Sequence, residues 1–170
     1  DLDHLGRSAG QFDEAKLRWV NAQHLKALSG AELARRVEPF LAARQLDTDE
    51  RLPAICDLHA SRCDTLVALA DAAALFYGDP QASDADRQQY LGDALKPALR
   101  ELADRLEQVP WQAGDIAAEI KAILRAHGLK MPQLAKAVRV LLFGTPNTPS
   151  LDAMLALSRR EEVLTKLRTL

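Results

Sequence analysis

"GLKMPQLAKAVRVLLFGTPNTPSLDAMLALSRREEVLTKL", residues Gly128 to Leu167, decides what kind of fold this chain adopts. A helix over "MPQLAKAVRVLLFG" runs into Gly144, then into Thr-Pro-Asn-Thr-Pro-Ser, and a new helix opens at Ser150. Two prolines in four residues fix φ at Pro146 and Pro149 and push Thr145 and Thr148 into extended conformations. The connector is therefore stiff. It lies beside Arg139, a single arginine set among Val138, Val140, Leu141 and Leu142, which must project from a narrow polar stripe together with Lys136 and Lys130.

The same helical grammar extends upstream. "FDEAKLRWVNAQHLKAL" offers Asp13 as an N-cap, with Leu17, Val20, Asn21, His24 and Leu28 along one stripe. "SGAELARRVEPFLAARQL" opens with a capping box, Ser29 to Glu32, and sets Leu33, Val37, Phe40 and Leu41 on one face. "RLPAICDLHASRCDTLVALADAAALFYGDP" reads as two helices meeting near Ser61–Asp64. The second turns Leu66, Leu69, Ala70, Ala73, Phe76 and Tyr77 inward, and Gly78-Asp79-Pro80 stops it. The next segment starts at the Ser83 cap and breaks near Gly92. "AGDIAAEIKAILRAHG" is a helix capped by Asp115 and closed by Gly128. "SLDAMLALSRREEVLTKLRTL" is read as one helix with Ser150 as its cap. No run shows the period-two alternation of a strand, so the fold class is all-α without a sheet. The stretch 79–83 is the boundary between two helical halves.

Length and composition set the remaining limits. The 170 residues, 48% hydrophobic and 27% charged, describe an ordinary globular chain able to bury a core. No apolar run approaches the roughly 20 residues that span a bilayer. The first ten residues resemble no signal peptide and lack an initiator Met, so the chain is expected to be processed or cut from something longer. A net charge of −2 and a pI near 6.1 argue mildly against a free-standing nucleic-acid binder, but leave room for one basic face. Two cysteines make no disulfide scaffold and fit a reducing cytoplasm.

Catalytic signatures are absent: there is no phosphate-binding glycine loop, dinucleotide fingerprint or nucleophile elbow. Cys56, His59 and Cys63 share a helix face in spacing, but one helix cannot wrap a tetrahedral ion, so they read as packing residues and no metal site is expected. His4, His24 and His127 are isolated. The acidic pairs Glu161-Glu162 and Asp84/Asp86 sit at helix starts, where they complement the dipole. Trp19 reads as core. Arg62 interrupts an apolar run at the mouth of a helix. Arg62 and Arg139 suit single-stranded RNA, because a planar guanidinium both stacks on a base and donates paired hydrogen bonds. Threonine hydroxyls would add edge readout, and a stiff loop with Pro and Leu walls lowers the ordering cost.

Three blocks, "FDEAKLRWVNAQHL", "SRCDTL" and "GLKMPQLAKAVRVLLFGTPNTPSLDAMLALSRREEVLTKL", resemble in order and spacing the C-terminal half of bacterial glutamyl-tRNA synthetases, which are class I aminoacyl-tRNA synthetases. The resemblance covers essentially the whole chain. It implies an all-helical anticodon-binding portion: residues 1–26 as the tail of the stem-contact region, then helical subdomains over 27–82 and 83–170. It places Arg62 at the reader of the third anticodon base, where an arginine goes with preferring cytosine over guanine. It places Arg139, Thr148, Pro149 and Leu151 in the pocket for the first two bases. Lys130 and Lys136, on the basic edge of the helix, are read from the sequence itself as candidate contacts to the RNA backbone. The "KLRWVN" segment is treated as structural, near the junction facing the catalytic part. The ATP-binding signatures of that class do not occur here, and Lys130-Met131 followed by Pro132 is a decoy. No catalytic residue, cofactor or metal is therefore expected in these residues, ATP and Mg belonging to the catalytic domain of the whole enzyme. The implied partner is tRNA-Glu, with no DNA and no membrane, for a monomeric cytoplasmic protein. A helical protein–protein interaction module is the alternative.

Overall fold

A computed structural model describes residues 13–170. The expectations for His4 and for the first twelve residues lie outside the described residues. Ten α-helices are found among the described residues and no strand: α1 Glu14–Ala27, α2 Gly30–Ala42, α3 Leu52–Ala60, α4 Leu66–Ala74, α5 Asp84–Tyr90, α6 Lys96–Leu106, α7 Ala113–Ala126, α8 Met131–Phe143, α9 Leu151–Ala156 and α10 Arg160–Thr169. No helix among them is long and apolar enough to cross a membrane. The all-α class is confirmed.

Helix starts follow side-chain chemistry. Asp13 accepts from the Lys16 N–H, the Ser29–Glu32 box closes reciprocally, Thr65 accepts from Ala68, and Ser83 accepts from Asp86. Such caps satisfy backbone donors that a helix leaves unpaired. One expected cap differs. Asp115 is the third residue of α7, whose N-terminal boundary is Gln112; there its charge still favours the positive end of the helix.

Helices α2, α3 and α4 pack on one another, and α5 to α10 pack among themselves, with α6 against α7 and α10, and α7 against α9. Leu33, Leu41, Ile55 and Leu69 are fully buried in the first group, and Leu99, Leu102, Ile116, Leu134, Met154 and Leu155 in the second. Burying one such side chain contributes about 1.5–3 kcal/mol. An aromatic chain joins the groups: His59 meets Phe76 edge-on at 5.9 Å, and Phe76 meets Phe143 at 5.7 Å. Gly30 lets α2 start against α3, since a Cβ there would collide with the Pro53 carbonyl oxygen and the Asp57 carboxylate.

Two expectations fail in instructive ways. The final segment is two helices, because the chain breaks at Leu157-Ser158-Arg159. The Ser158 hydroxyl donates to the Met154 carbonyl, while the Trp111 indole N–H donates to the Ser158 carbonyl at 3.0 Å. Glu161 and Glu162 then occupy the first turn of α10, as that acidic pair implied by itself. Ser150 occupies the boundary position of α9, but its side chain makes no capping bond. Secondly, Trp19 is 64% exposed and Leu17 53%. Only Leu25 of α1 is buried, so the stripe read from Leu17 to Leu28 is only partly covered. Phe40 likewise lies 37% exposed at the edge of the α2 face.

Candidate nucleic-acid interface

The α8 C-terminus builds the feature that positions everything else. Gly144 takes φ +67°, and its N–H closes the helix on the Val140 carbonyl. The left-handed residue turns the chain so that 145–150 folds back over α8. Pro149 and Thr148 become buried, and Leu151 anchors α9 in the core. The Asn147 N–H bonds the Thr145 hydroxyl, giving the loop internal order.

Arg139 reaches from α8 to this loop. Its Nη2 donates to the Pro149 carbonyl at 3.0 Å, and the Thr148 hydroxyl donates to the same oxygen at 3.1 Å. The Nε is buried without a partner. Burial first, and the charge of Arg62 second, push the guanidinium below its ordinary pKa. Arg62 therefore sits close enough to act on Arg139 although it belongs to the turn between α3 and α4, in the other packing group. Its side chain is exposed. No carboxylate pairs with either arginine among the described residues. A half-buried guanidinium without a carboxylate partner, such as that of Arg139, is costly unless a ligand satisfies it.

Beside Arg139 opens a groove of about 490 Å³, lined by Ile120, Met131, Lys136, Leu151 and Asp152 among others. Its walls are mostly apolar, with cations at its lip. That combination suits a flat ligand rich in acceptors and carrying negative charge. The structure thus brings Arg139, Thr148, Pro149, Leu151 and Lys136 around one loop and groove, whereas Arg62, in the other packing group, does not line that groove. Lys130 stands apart from the groove at the α8 N-terminus, where its N–H is held by Gln133.

The Thr148 hydroxyl donates its proton within the loop, to the Pro149 carbonyl, and keeps its oxygen lone pairs as acceptors. Arg139 likewise does more than project: it holds the loop it was expected to stand beside.

The cysteines are buried in the neighbouring core. Burial pushes the Cys56 thiol up to about 11 and raises Cys63 as well. His59 is buried with its Nε2 unpartnered, and burial followed by the Arg62 charge lowers it to about 4. It is therefore neutral near pH 7. Among the described residues no group of three His, Cys, Asp or Glu side chains is placed to hold a metal ion.

A family model for the anticodon-binding domain matches residues 32–170. The chain belongs to the anticodon-binding domain family. Similar curated proteins are the glutamate–tRNA ligases of Paracidovorax citrulli, 57% identical over 173 residues, and of Albidiferax ferrireducens, 56% identical over 169 residues. Each alignment takes in 99% of this chain, and the chain spans 36% and 37% of those two relatives. A solved glutamate–tRNA ligase from Elizabethkingia meningosepticum has the same fold, with a TM-score of 0.83 at 20% identity, over 92% of this chain and 32% of that one. The matched anticodon-binding segment contains Arg62, Arg139 and the whole Thr-Pro loop.

Tyr90 was not singled out by the sequence. It ends α5 beside a second groove, with the Lys136 ammonium 5.3 Å from its ring centroid. A lone tyrosine at a helix end carries no periodic signal, and only the packing of α5 on α8 brings the two residues together.

Proposed function

We propose that this chain recognises the anticodon of tRNA-Glu as part of a glutamate–tRNA ligase, with residues 27–82 and 83–170 acting as its two recognition subdomains. The relatives' names support the tRNA, and family membership supports the anticodon. The observation that carries the reading is the Arg139 guanidinium, half-buried without a carboxylate partner, bound to the Pro149 carbonyl and opening on the groove beside the loop. In this reading Arg62 reads the third anticodon base. Arg139, Pro149 and Leu151 wall the pocket of the first two, with Thr148 holding the loop in shape. Lys136 and Lys130 meet phosphates. ATP, Mg and glutamate are assigned to the remainder of the ligase.

Arg139→Ala should weaken binding of the tRNA-Glu anticodon stem-loop by about 1–3 kcal/mol, the worth of one good base-edge contact. Because Arg139 also holds the Pro149 carbonyl, thermal stability should fall by about 1 kcal/mol. Calorimetric titration and a melting curve on the same protein separate the two effects. A large melting shift with unchanged RNA binding would make the arginine structural only.

Arg62 carries the specificity. A guanidinium presents donors alone. Cytosine offers acceptors at O2 and N3, whereas guanine sets N1 and N2 donors against it. Arg62→Gln, able to donate and accept, should bring the cytosine-to-guanine preference at the third base about tenfold closer to unity, the scale of one unsatisfied donor. Titrating both stem-loops against both proteins checks this; equal loss for both RNAs would reduce Arg62 to a phosphate contact.

A further inference from the structure

We propose that a second nucleobase seat lies on the other flank of α8, centred on Tyr90, and takes an unpaired loop nucleotide adjoining the anticodon. The proposal rests on the anticodon reading and extends it. The groove there measures about 490 Å³ and is lined by Tyr90, Leu95, Leu129, Pro132, Gln133 and Lys136 with the 89–94 turn. That volume lies within the range that buries a nucleotide-sized ligand.

Three observations choose a nucleotide as occupant. Tyr90 is half-buried and lines the groove, so part of its side chain is open to an occupant. An aromatic face stacks any base. The Lys136 ammonium sits 5.3 Å from that ring, where it can meet the phosphate of a base stacked on the tyrosine. Gln133 gives its carbonyl oxygen to the Lys130 N–H at 2.8 Å, which leaves the amide NH2 as a donor for a base edge.

Continuity chooses the position of that nucleotide. Pro132 and Lys136 belong to the walls of both grooves. A strand whose bases fill the groove beside Arg139 can therefore continue past Lys136 toward Tyr90. Each seat takes a base, and Lys136 meets the phosphate between them.

The test uses tRNA-Glu anticodon stem-loops carrying 2-aminopurine immediately 5′ or 3′ of the triplet, titrated with the full chain and with Tyr90→Leu, Tyr90→Phe and Arg139→Ala. One of the two probes should be quenched on binding to the wild type and to Tyr90→Phe. Tyr90→Leu should abolish that quench and weaken affinity about 5- to 150-fold, the range for one aromatic–base stack, while Tyr90→Phe stays within about twofold. If Tyr90→Leu binds like the wild type and neither probe is quenched, while Arg139→Ala still loses affinity, the Tyr90 seat is wrong and the anticodon reading stands. If Arg139→Ala also binds like the wild type, the underlying reading falls and the seat falls with it. Should leucine disturb the packing of α5, the quench in the wild type and Tyr90→Phe decides alone.

Discussion

Gly144→Val is expected to cost about 3 kcal/mol of stability and to remove anticodon binding with it. The glycine sits at φ +67°, a left-handed conformation that costs an L-residue roughly 1–2 kcal/mol and a β-branched one at the upper end. Space is the second charge against valine. A Cβ at this position would stand 3.0 Å from the Gln81 carbonyl carbon and oxygen and 3.2 Å from Pro80. Those are backbone atoms of the segment linking α4 to α5, and they cannot swing aside as a side-chain tip could. Overpacking of this sort adds about 1–3 kcal/mol. If the loop escapes by unwinding the last turn of α8, the Pro149 carbonyl leaves Arg139, so binding falls even where the fold persists. Chemical denaturation gives the first effect and stem-loop titration the second. A variant that melts and binds like the wild type would show that the αL turn sets nothing at the site.

Asp49→Ala is expected to destabilise the fold by about 2 kcal/mol, because one carboxylate organises the seam between the two packing groups. Asp49 accepts from Arg51 Nε at 2.9 Å and Nη2 at 2.7 Å, and from the Tyr77 hydroxyl at 3.0 Å. Arg51 in turn donates through Nη1 to the Leu157 carbonyl at 2.9 Å, and Arg159 approaches Asp49 at 3.6 Å. Breaking a buried pair costs roughly 3–5 kcal/mol; the partial exposure of this one lowers the figure. The pH dependence carries a sign that identifies the cause. Hydrogen bonding from Arg51 holds the Asp49 carboxyl at about 2, below its ordinary 3.8. The contribution is therefore complete above the unfolded value and is lost as pH falls through the folded one. The stability gap between wild type and Asp49→Ala should be flat from pH 7 to about pH 4 and close between pH 4 and pH 2. A gap that stays constant to pH 2 would exclude the ionised carboxylate as its source.

The legibility of the sequence varied with the range of the interaction. Local chemistry was readable: the Ser29–Glu32 box, the Thr-Pro loop, the turn at Ser61–Asp64 and the break at Gly92 all depend on residues within a few positions. What failed depended on distant partners. The split between α9 and α10 is held by Trp111, whose N–H meets Ser158 across 47 positions. Trp19 has the chemistry of a core residue, yet it lies 64% exposed on α1. At the site, Arg62 and Arg139 were recognisable as odd arginines in apolar runs and as positions of a family pattern. The Pro149 carbonyl bound by Arg139 and the Tyr90 groove arise from how the loop and α5 pack on α8, which no local pattern encodes.

Reading an anticodon differs from binding any polyanion in its dependence on base identity. Its most direct measurement is a titration of the chain with the tRNA-Glu anticodon stem-loop and with the same stem-loop carrying exchanged first and second anticodon bases, at two salt concentrations. Both affinities should fall as salt rises, since phosphates contribute to each. The native anticodon should bind at least about tenfold tighter, as for one or more mismatched base contacts, with that ratio preserved at both salts. Equal affinities for the two RNAs at each salt concentration would contradict it.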